Sequence, residues 1–139
     1  MPTTIVAHFA SPELWPLTSG RTFRVLFDAL LGEFADAPVY ADISALALFT
    51  RAHWLKRLVR SPEIHGKLVY GSNFPVPPTP LAFVWQLGWR VRAIKKMASW
   101  VDRDVAVKET LGFGDMAFTR SGDLLGHRIG VGDALAGAV

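Results

Sequence analysis

The chain has 139 residues, a formal net charge of +3, and a composition that is 50% hydrophobic and 19% charged. This composition excludes an intrinsically disordered protein, which combines low hydrophobicity with high net charge. Because the sequence contains no cysteine, it also excludes a disulfide scaffold, a cysteine-based zinc site and a thiol nucleophile.

Five predicted elements alternate between strand and helix in the first half of the sequence. Apolar runs rich in β-branched residues predict strands, and apolar spacings of three and four predict helices. Thr18 or Ser19 is placed to cap the first helix. In chain order the elements are a strand at 4–10, a helix at 21–34, a strand at 38–44, a helix at 51–60 and a strand at 67–71.

The second half of the sequence reads as a proline-rich loop followed by helices. Four prolines between residues 74 and 80 exclude regular structure there. A helix is expected at 81–97, with a disturbance at Gly88, and a further helix at about 114–125. Another is expected from Arg103 to Leu111, with Asp102 as its cap and Gly112 as its stop. We therefore divide the chain into residues 1–125 and a Gly-rich tail, 126–139.

Targeting signals are not apparent in the sequence. The longest apolar candidate, 81–94, is interrupted by Gln86, Arg90 and Arg92, and falls short of the roughly 20 residues that a membrane span needs. Residues 1–4 lack the charged start of a signal peptide. The sequence predicts a cytoplasmic protein with no membrane partner.

Several segments resemble one enzyme family. Residues 68–75, LVYGSNFP, are similar to the last strand of the amidohydrolase-related metal-dependent hydrolases, which ends in a Gly-Ser-Asp-Phe-Pro type motif. Residues 5–8, IVAH, resemble that family's sixth strand, which ends in a histidine, and 39–44 resemble its seventh. Three further segments resemble its C-terminal helices: 100–104, 111–113 and 118–120.

The resemblance implies an α/β fold, namely the C-terminal part of a (β/α)₈ TIM barrel, with strands six to eight and their helices. Such barrels take about 250 residues, so the resemblance implies a truncated gene product, a wrongly placed start or one piece of a split barrel. It implies metal-dependent hydrolysis, or the related decarboxylation, of a small carboxylic or cyclic substrate. The expected cofactor is Zn²⁺ or Mn²⁺, which activates water or stabilises developing negative charge.

The resemblance also assigns two site residues. His8 matches the histidine that ends the sixth strand and would handle a proton. Asn73 matches the family's last-strand aspartate at a metal position, where it keeps a carbonyl oxygen but loses the charge. The family's first-strand ligand pair is absent from the sequence, so we expect the chain alone to be catalytically impaired.

Each of these residues also has a simpler interpretation. A histidine after an apolar strand is often a hydrogen-bonded core residue, and Asn at a strand-to-loop corner commonly makes turn hydrogen bonds. Asp42 and Ser44 either line a pocket or begin a loop. The remaining histidines share no spacing that would gather them, which predicts surface positions for His53, His65 and His127.

Two further hypotheses concern binding without chemistry. Exposed edge strands would let the chain self-associate as a homo-oligomer or complement a partner half-barrel. Basic residues in 51–60 and 90–96, near Trp85, Trp89 and Trp100, are a pattern that can bind nucleic acid. We rank nucleic-acid binding lower, because a net charge of +3 is small for that function.

Overall fold

A three-stranded parallel sheet organises the N-terminal half of the molecule. The computed structural model describes residues 2–12 and 20–129, with side chains up to residue 124. The strands are β1 (Thr4–Val6), β2 (Val39–Asp42) and β3 (Leu68–Val69), in the spatial order β1-β2-β3. The α-helices of the described residues are α1 (Arg21–Leu31), α2 (Ala52–Val59), α3 (Val84–Leu87), α4 (Arg90–Lys96), α5 (Trp100–Leu111) and α6 (Asp115–Ile129).

The strand pairing follows the parallel arrangement that the alternating elements predict. Thr4 lies opposite Val39 in β2, and Ala41 of β2 lies opposite Leu68. The carboxyl ends of parallel strands share one edge of the sheet, so the residues that follow Val6, Asp42 and Val69 meet there. This edge positions the candidate site.

The predicted partial TIM barrel is wrong. The structure is mixed α/β with one small sheet, and no fourth strand occurs in the described ranges. A barrel strand has a hydrogen-bonded strand on each side. Beyond β3 the neighbour is instead a helix, since the Tyr70 amide donates to the Ala117 carbonyl of α6 at 2.8 Å. Helix α6 therefore covers the edge of the sheet beyond β3 rather than extending it.

The core forms between α1, α2 and the sheet. Phe23 of α1 stacks on Trp54 of α2, with ring centroids 4.4 Å apart. Helix α1 begins at Arg21, as predicted, but ends at Leu31. Before it, Gly20 has φ 60°, and a Cβ there would lie 2.1 Å from a Trp54 ring atom, so this close approach requires glycine. The caps predicted at residues 18 and 19 lie outside the described residues.

The helices after β3 differ in detail from the prediction. The expected helix at 81–97 is a 3₁₀ turn (Pro80–Phe83), α3 and α4, because Gly88 at φ 53° and ψ −131° breaks it. Ser99, not Asp102, caps α5: its hydroxyl accepts from the Asp102 amide at 3.2 Å.

Of the last two helices, α5 ends where predicted and α6 ends later than predicted. Gly112 ends α5 in the left-handed conformation, at φ 112°, which confirms its predicted role. Helix α6 continues past residue 125 to Ile129, so the first part of the predicted tail is helical. The remainder of that tail, 130–139, lies outside the described residues. No helix in the described part of the chain combines the length and apolarity needed to cross a bilayer.

Candidate functional site

A left-handed turn immediately after β1 presents His8. The predicted strand stops at Val6, and His8, Phe9 and Ala10 take φ values of 53°, 52° and 48°. This conformation costs a non-glycine residue roughly 1–2 kcal/mol. Phe9 compensates by burying its ring completely against Phe23, with centroids 4.6 Å apart. The turn is therefore held in place by its second residue, while His8 beside it stays partly exposed.

Asp42 and Ser44 meet His8 at the carboxyl edge of the sheet. Asp42 Oδ1 accepts from the Ser44 hydroxyl at 2.5 Å and from the amides of Ser44 and His8, both at 2.9 Å. Ser44 Oγ lies 2.7 Å from His8 Nδ1. We call His8, Asp42 and Ser44 the open cluster, because the His8 side chain is 36% exposed.

The hydrogen bonds of the open cluster assign the histidine tautomer. The Ser44 hydroxyl has one proton and directs it to the Asp42 carboxylate, since an ionised carboxylate only accepts. Ser44 Oγ must then accept from His8, which places a proton on Nδ1. In the neutral imidazole, Nε2 is consequently the unprotonated nitrogen that can accept a proton.

A cleft of about 450 Å³ lies beside the open cluster. It combines polar and apolar walls, formed by His8, Ala45, Leu48, Thr50, Arg51, Asn73 and Val76. Arg51 is 5% exposed. Its guanidinium is permanently charged and carries five donors in a planar fork that matches a carboxylate or phosphate. The cleft therefore contains both an imidazole and a cation that is suited to binding anions.

Asn73 lies in the same cleft, so the structure brings together both predicted site residues. It has φ 60°, and its carbonyl accepts from the Val76 amide at 2.9 Å. This backbone role matches the turn interpretation of the sequence. The metal interpretation gains no ligand set, since the described residues contain no group of three or more His, Cys, Asp or Glu placed to hold an ion. Moreover, Asp42 Oδ1 and His8 Nδ1 are already committed to hydrogen bonds within the open cluster.

A second polar cluster lies inside the protein, next to the loop that carries Asn73. Lys108 of α5 is fully buried, and its Nζ donates to Asp104 Oδ2 at 2.6 Å and to the Gly71 carbonyl at 3.0 Å. The same Nζ lies 4.9 Å from the centre of the Tyr70 ring. We call Tyr70, Asp104 and Lys108 the sealed cluster. Through Gly71 it fixes the start of the loop from β3 to the cleft.

Burial dominates the electrostatics of the sealed cluster. It raises the pKa of Asp104 and lowers the pKa of Lys108, while the attraction between the two charges opposes both changes. Burial, followed by the nearby Asp104 charge, raises the pKa of Tyr70. The spacing of four between Asp104 and Lys108 is the only sequence signal for this cluster, and in a helix it usually marks an exposed pair.

His53 and His65 do not line the cleft. Both residues are partly buried. His65 Nε2 lies 2.9 Å from the Leu58 carbonyl, and its ring packs on Phe113. Burial, together with the charge of Lys56, lowers the pKa of His53. The side chain of His127 lies outside the described residues.

Comparisons with protein-family models, with curated proteins and with solved structures found no match for this chain.

Proposed function

We propose that the cleft is a proton-transfer site for a small carboxylic substrate, acting by hydrolysis or by the related decarboxylation. One observation carries the proposal: a hydrogen-bonded chain from Asp42 through Ser44 engages His8 Nδ1, which leaves Nε2 as the proton-accepting nitrogen of the neutral imidazole beside a cleft that also contains Arg51. The resemblance of residues 5–8 and 68–75 to metal-dependent hydrolases supports the same reaction class. The predicted cytoplasmic setting suits a small-molecule substrate and stays a prediction.

In the hydrolytic form of this proposal, His8 Nε2 accepts a proton from water as the water oxygen attacks a carbonyl carbon. The resulting imidazolium then donates that proton to the leaving group, so the imidazole is regenerated. Asp42 stabilises the imidazolium through Ser44. Arg51 binds the substrate carboxylate, and the apolar side chains of Leu48 and Val76 contact the remainder of the substrate.

The test is a panel of small esters, amides and lactones, each with a free carboxylate and with the matching neutral methyl ester. The carboxylates should turn over faster. His8→Asn should lower kcat by about 10²- to 10⁴-fold, the range of general acid–base catalysis. Asn tolerates the left-handed conformation at this position, so the variant should fold. His65→Asn, the same substitution outside the cleft, should leave kcat unchanged.

Added Zn²⁺ or Mn²⁺ forms a separate arm of this assay, because the metal requirement is a prediction from the resemblance alone. Activity that appears only with metal would shift the reaction from the imidazole to a metal-activated water. Equal kcat values for the wild type and His8→Asn would refute the proposed role of His8.

A second candidate is a non-catalytic interaction module. Strand β1 pairs only with β2 among the described strands, and Ile5 on it is 40% exposed. Such an edge can add a strand from a second copy of the chain or from another protein. An inactive, folded chain whose mass in light scattering rises with concentration would favour this candidate over the enzyme.

A further inference from the structure

Several large apolar side chains are exposed in the segment that follows the proline-rich loop. Trp85 and Trp89 are 91% and 80% exposed, and Leu81 and Val84 are 55% and 42% exposed. The helical spacing of these Trp residues predicts core positions, or else part of a pattern that can bind nucleic acid. The structure instead leaves two large indole rings in solvent, which favours an interaction role.

Buried and exposed apolar residues alternate along this segment, which is interrupted at Gly88. Phe83, Leu87 and Ile94 turn inward and are buried in the core. Helix α3 ends at Gly88 and α4 begins at Arg90, while Val84, Trp85 and Trp89 remain exposed between these buried residues. The exposed apolar side chains therefore do not contribute to the core.

Four cations follow these apolar side chains along the chain, and one of them contacts Trp89. The Arg90 guanidinium lies 5.8 Å from the centre of the Trp89 ring, and Arg92, Lys95 and Lys96 border one hollow of about 480 Å³. The sequence contains no Asp or Glu from residue 64 to residue 101. We name Leu81, Val84, Trp85 and Trp89, together with these four cations, the basic–aromatic surface.

We propose that the basic–aromatic surface docks on an anionic lipid membrane. Trp is favoured at the boundary between headgroups and acyl chains, and aliphatic side chains next to cations are typical of segments that lie in this interface. Clustered Lys and Arg add attraction to anionic lipids. This inference is independent of the proposed enzymatic site and differs from the sequence-based expectation of no membrane partner, which stays a prediction.

Two other occupants fit the surface less well. Nucleic acid would use the cations and the indole rings, but Leu81 and Val84 offer it neither stacking nor charge. A second copy of the same surface would bring two sets of four cations together, and like charges in an interface oppose association. An anionic lipid layer accommodates both the aliphatic and the cationic groups.

The experiment measures co-sedimentation of the full chain with phosphatidylcholine vesicles, prepared with and without phosphatidylserine. Binding is expected only when phosphatidylserine is present, with a blue shift of Trp fluorescence and weakening at high salt. Lys95→Glu/Lys96→Glu should weaken binding by about tenfold or more. Trp85→Ala/Trp89→Ala should also weaken it, and should reduce the blue shift.

The matched control is Arg21→Glu/Arg24→Glu, which makes the same charge change on exposed residues of α1. It should bind vesicles as the wild type does. The proposal is overturned if the control loses as much binding, if phosphatidylserine vesicles do not bind, or if single-stranded DNA or RNA binds more tightly than the vesicles. It is also overturned if light scattering shows a dimer that Trp85→Ala/Trp89→Ala dissociates.

Discussion

The open and sealed clusters contain similar chemical groups but differ in burial. Each has one carboxylate, one basic side chain and one hydroxyl group. In the sealed cluster Lys108 is fully buried, whereas His8 in the open cluster is 36% exposed. The sealed cluster is fixed by a direct ion pair of 2.6 Å. In the open cluster a serine hydroxyl lies between the carboxylate and the imidazole.

Because of this difference in burial, the sealed cluster contributes to stability, whereas the open cluster is the candidate for chemistry. A charge buried without its partner is costly, so the groups of the sealed cluster depend on one another. The open cluster can exchange protons with molecules in the cleft, because His8 Nε2 has no hydrogen-bond partner within the described part of the chain. The same residue types thus support the fold in one place and a candidate reaction in the other.

The largest expected effect comes from breaking the sealed cluster. Lys108→Ala leaves the Asp104 carboxyl buried without its cation, and should lower the free energy of unfolding by about 3–5 kcal/mol. The measurement is urea unfolding followed by circular dichroism. The control is Asp104→Leu/Lys108→Met, which removes both charges and should be close to neutral. If the double variant is as unstable as Lys108→Ala, the loss comes from packing and not from an unpaired charge.

A smaller effect is expected in the open cluster. Ser44→Ala removes the acceptor for His8 Nδ1 and should reduce the ratio of the Nδ1-protonated to the Nε2-protonated tautomer about fivefold, since one hydrogen bond contributes roughly 1 kcal/mol. The ¹⁵N chemical shifts of the His8 ring report this ratio directly. Ser72→Ala, a serine in the loop after β3, should leave the His8 shifts in place. An unchanged tautomer ratio in Ser44→Ala would contradict the assigned hydrogen-bond chain.

The smallest effect concerns the left-handed turn that presents His8. Ala10 has φ 48°, so Ala10→Gly relieves about 1–2 kcal/mol of strain while costing about 0.5–1 kcal/mol of backbone entropy. The net gain in the free energy of unfolding should be about 0.5 kcal/mol, measured by thermal and urea unfolding. Ala93→Gly in the exposed interior of α4 should lower stability instead, by up to about 1 kcal/mol. A loss of stability in both variants would mean that the turn is not strained at Ala10.

The sequence allowed several elements to be predicted because their causes are local. The apolar spacing after Arg21 predicted α1, and Gly112 predicted the end of α5. The alternation of strands and helices predicted the parallel pairing. The prolines between residues 74 and 80 predicted irregular backbone, and this stretch contains no helix or strand up to the 3₁₀ turn that begins at Pro80.

Other features depended on contacts that the local pattern does not record. The run at 4–10 looked like one strand, but burial of Phe9 against α1 bends it into a left-handed turn after Val6. The barrel expectation failed because α6, not another strand, occupies the position beyond β3. For the site, the resemblance pointed to His8 and Asn73, while the place of Arg51 in the cleft had no sequence signal.

By itself, the sequence determined where α1 begins, where α5 ends and that the strands are parallel, because neighbouring residues set helix periodicity, capping and the strand–helix alternation. Tertiary structure alone decided which charges are buried and which face the cleft. Asp104 and Lys108 carry the spacing of an ordinary surface pair, and only the packing of α5 under the loop after β3 seals them inside. Burial is a property of the assembled chain, since the water around each charged group is displaced by residues far away in the sequence.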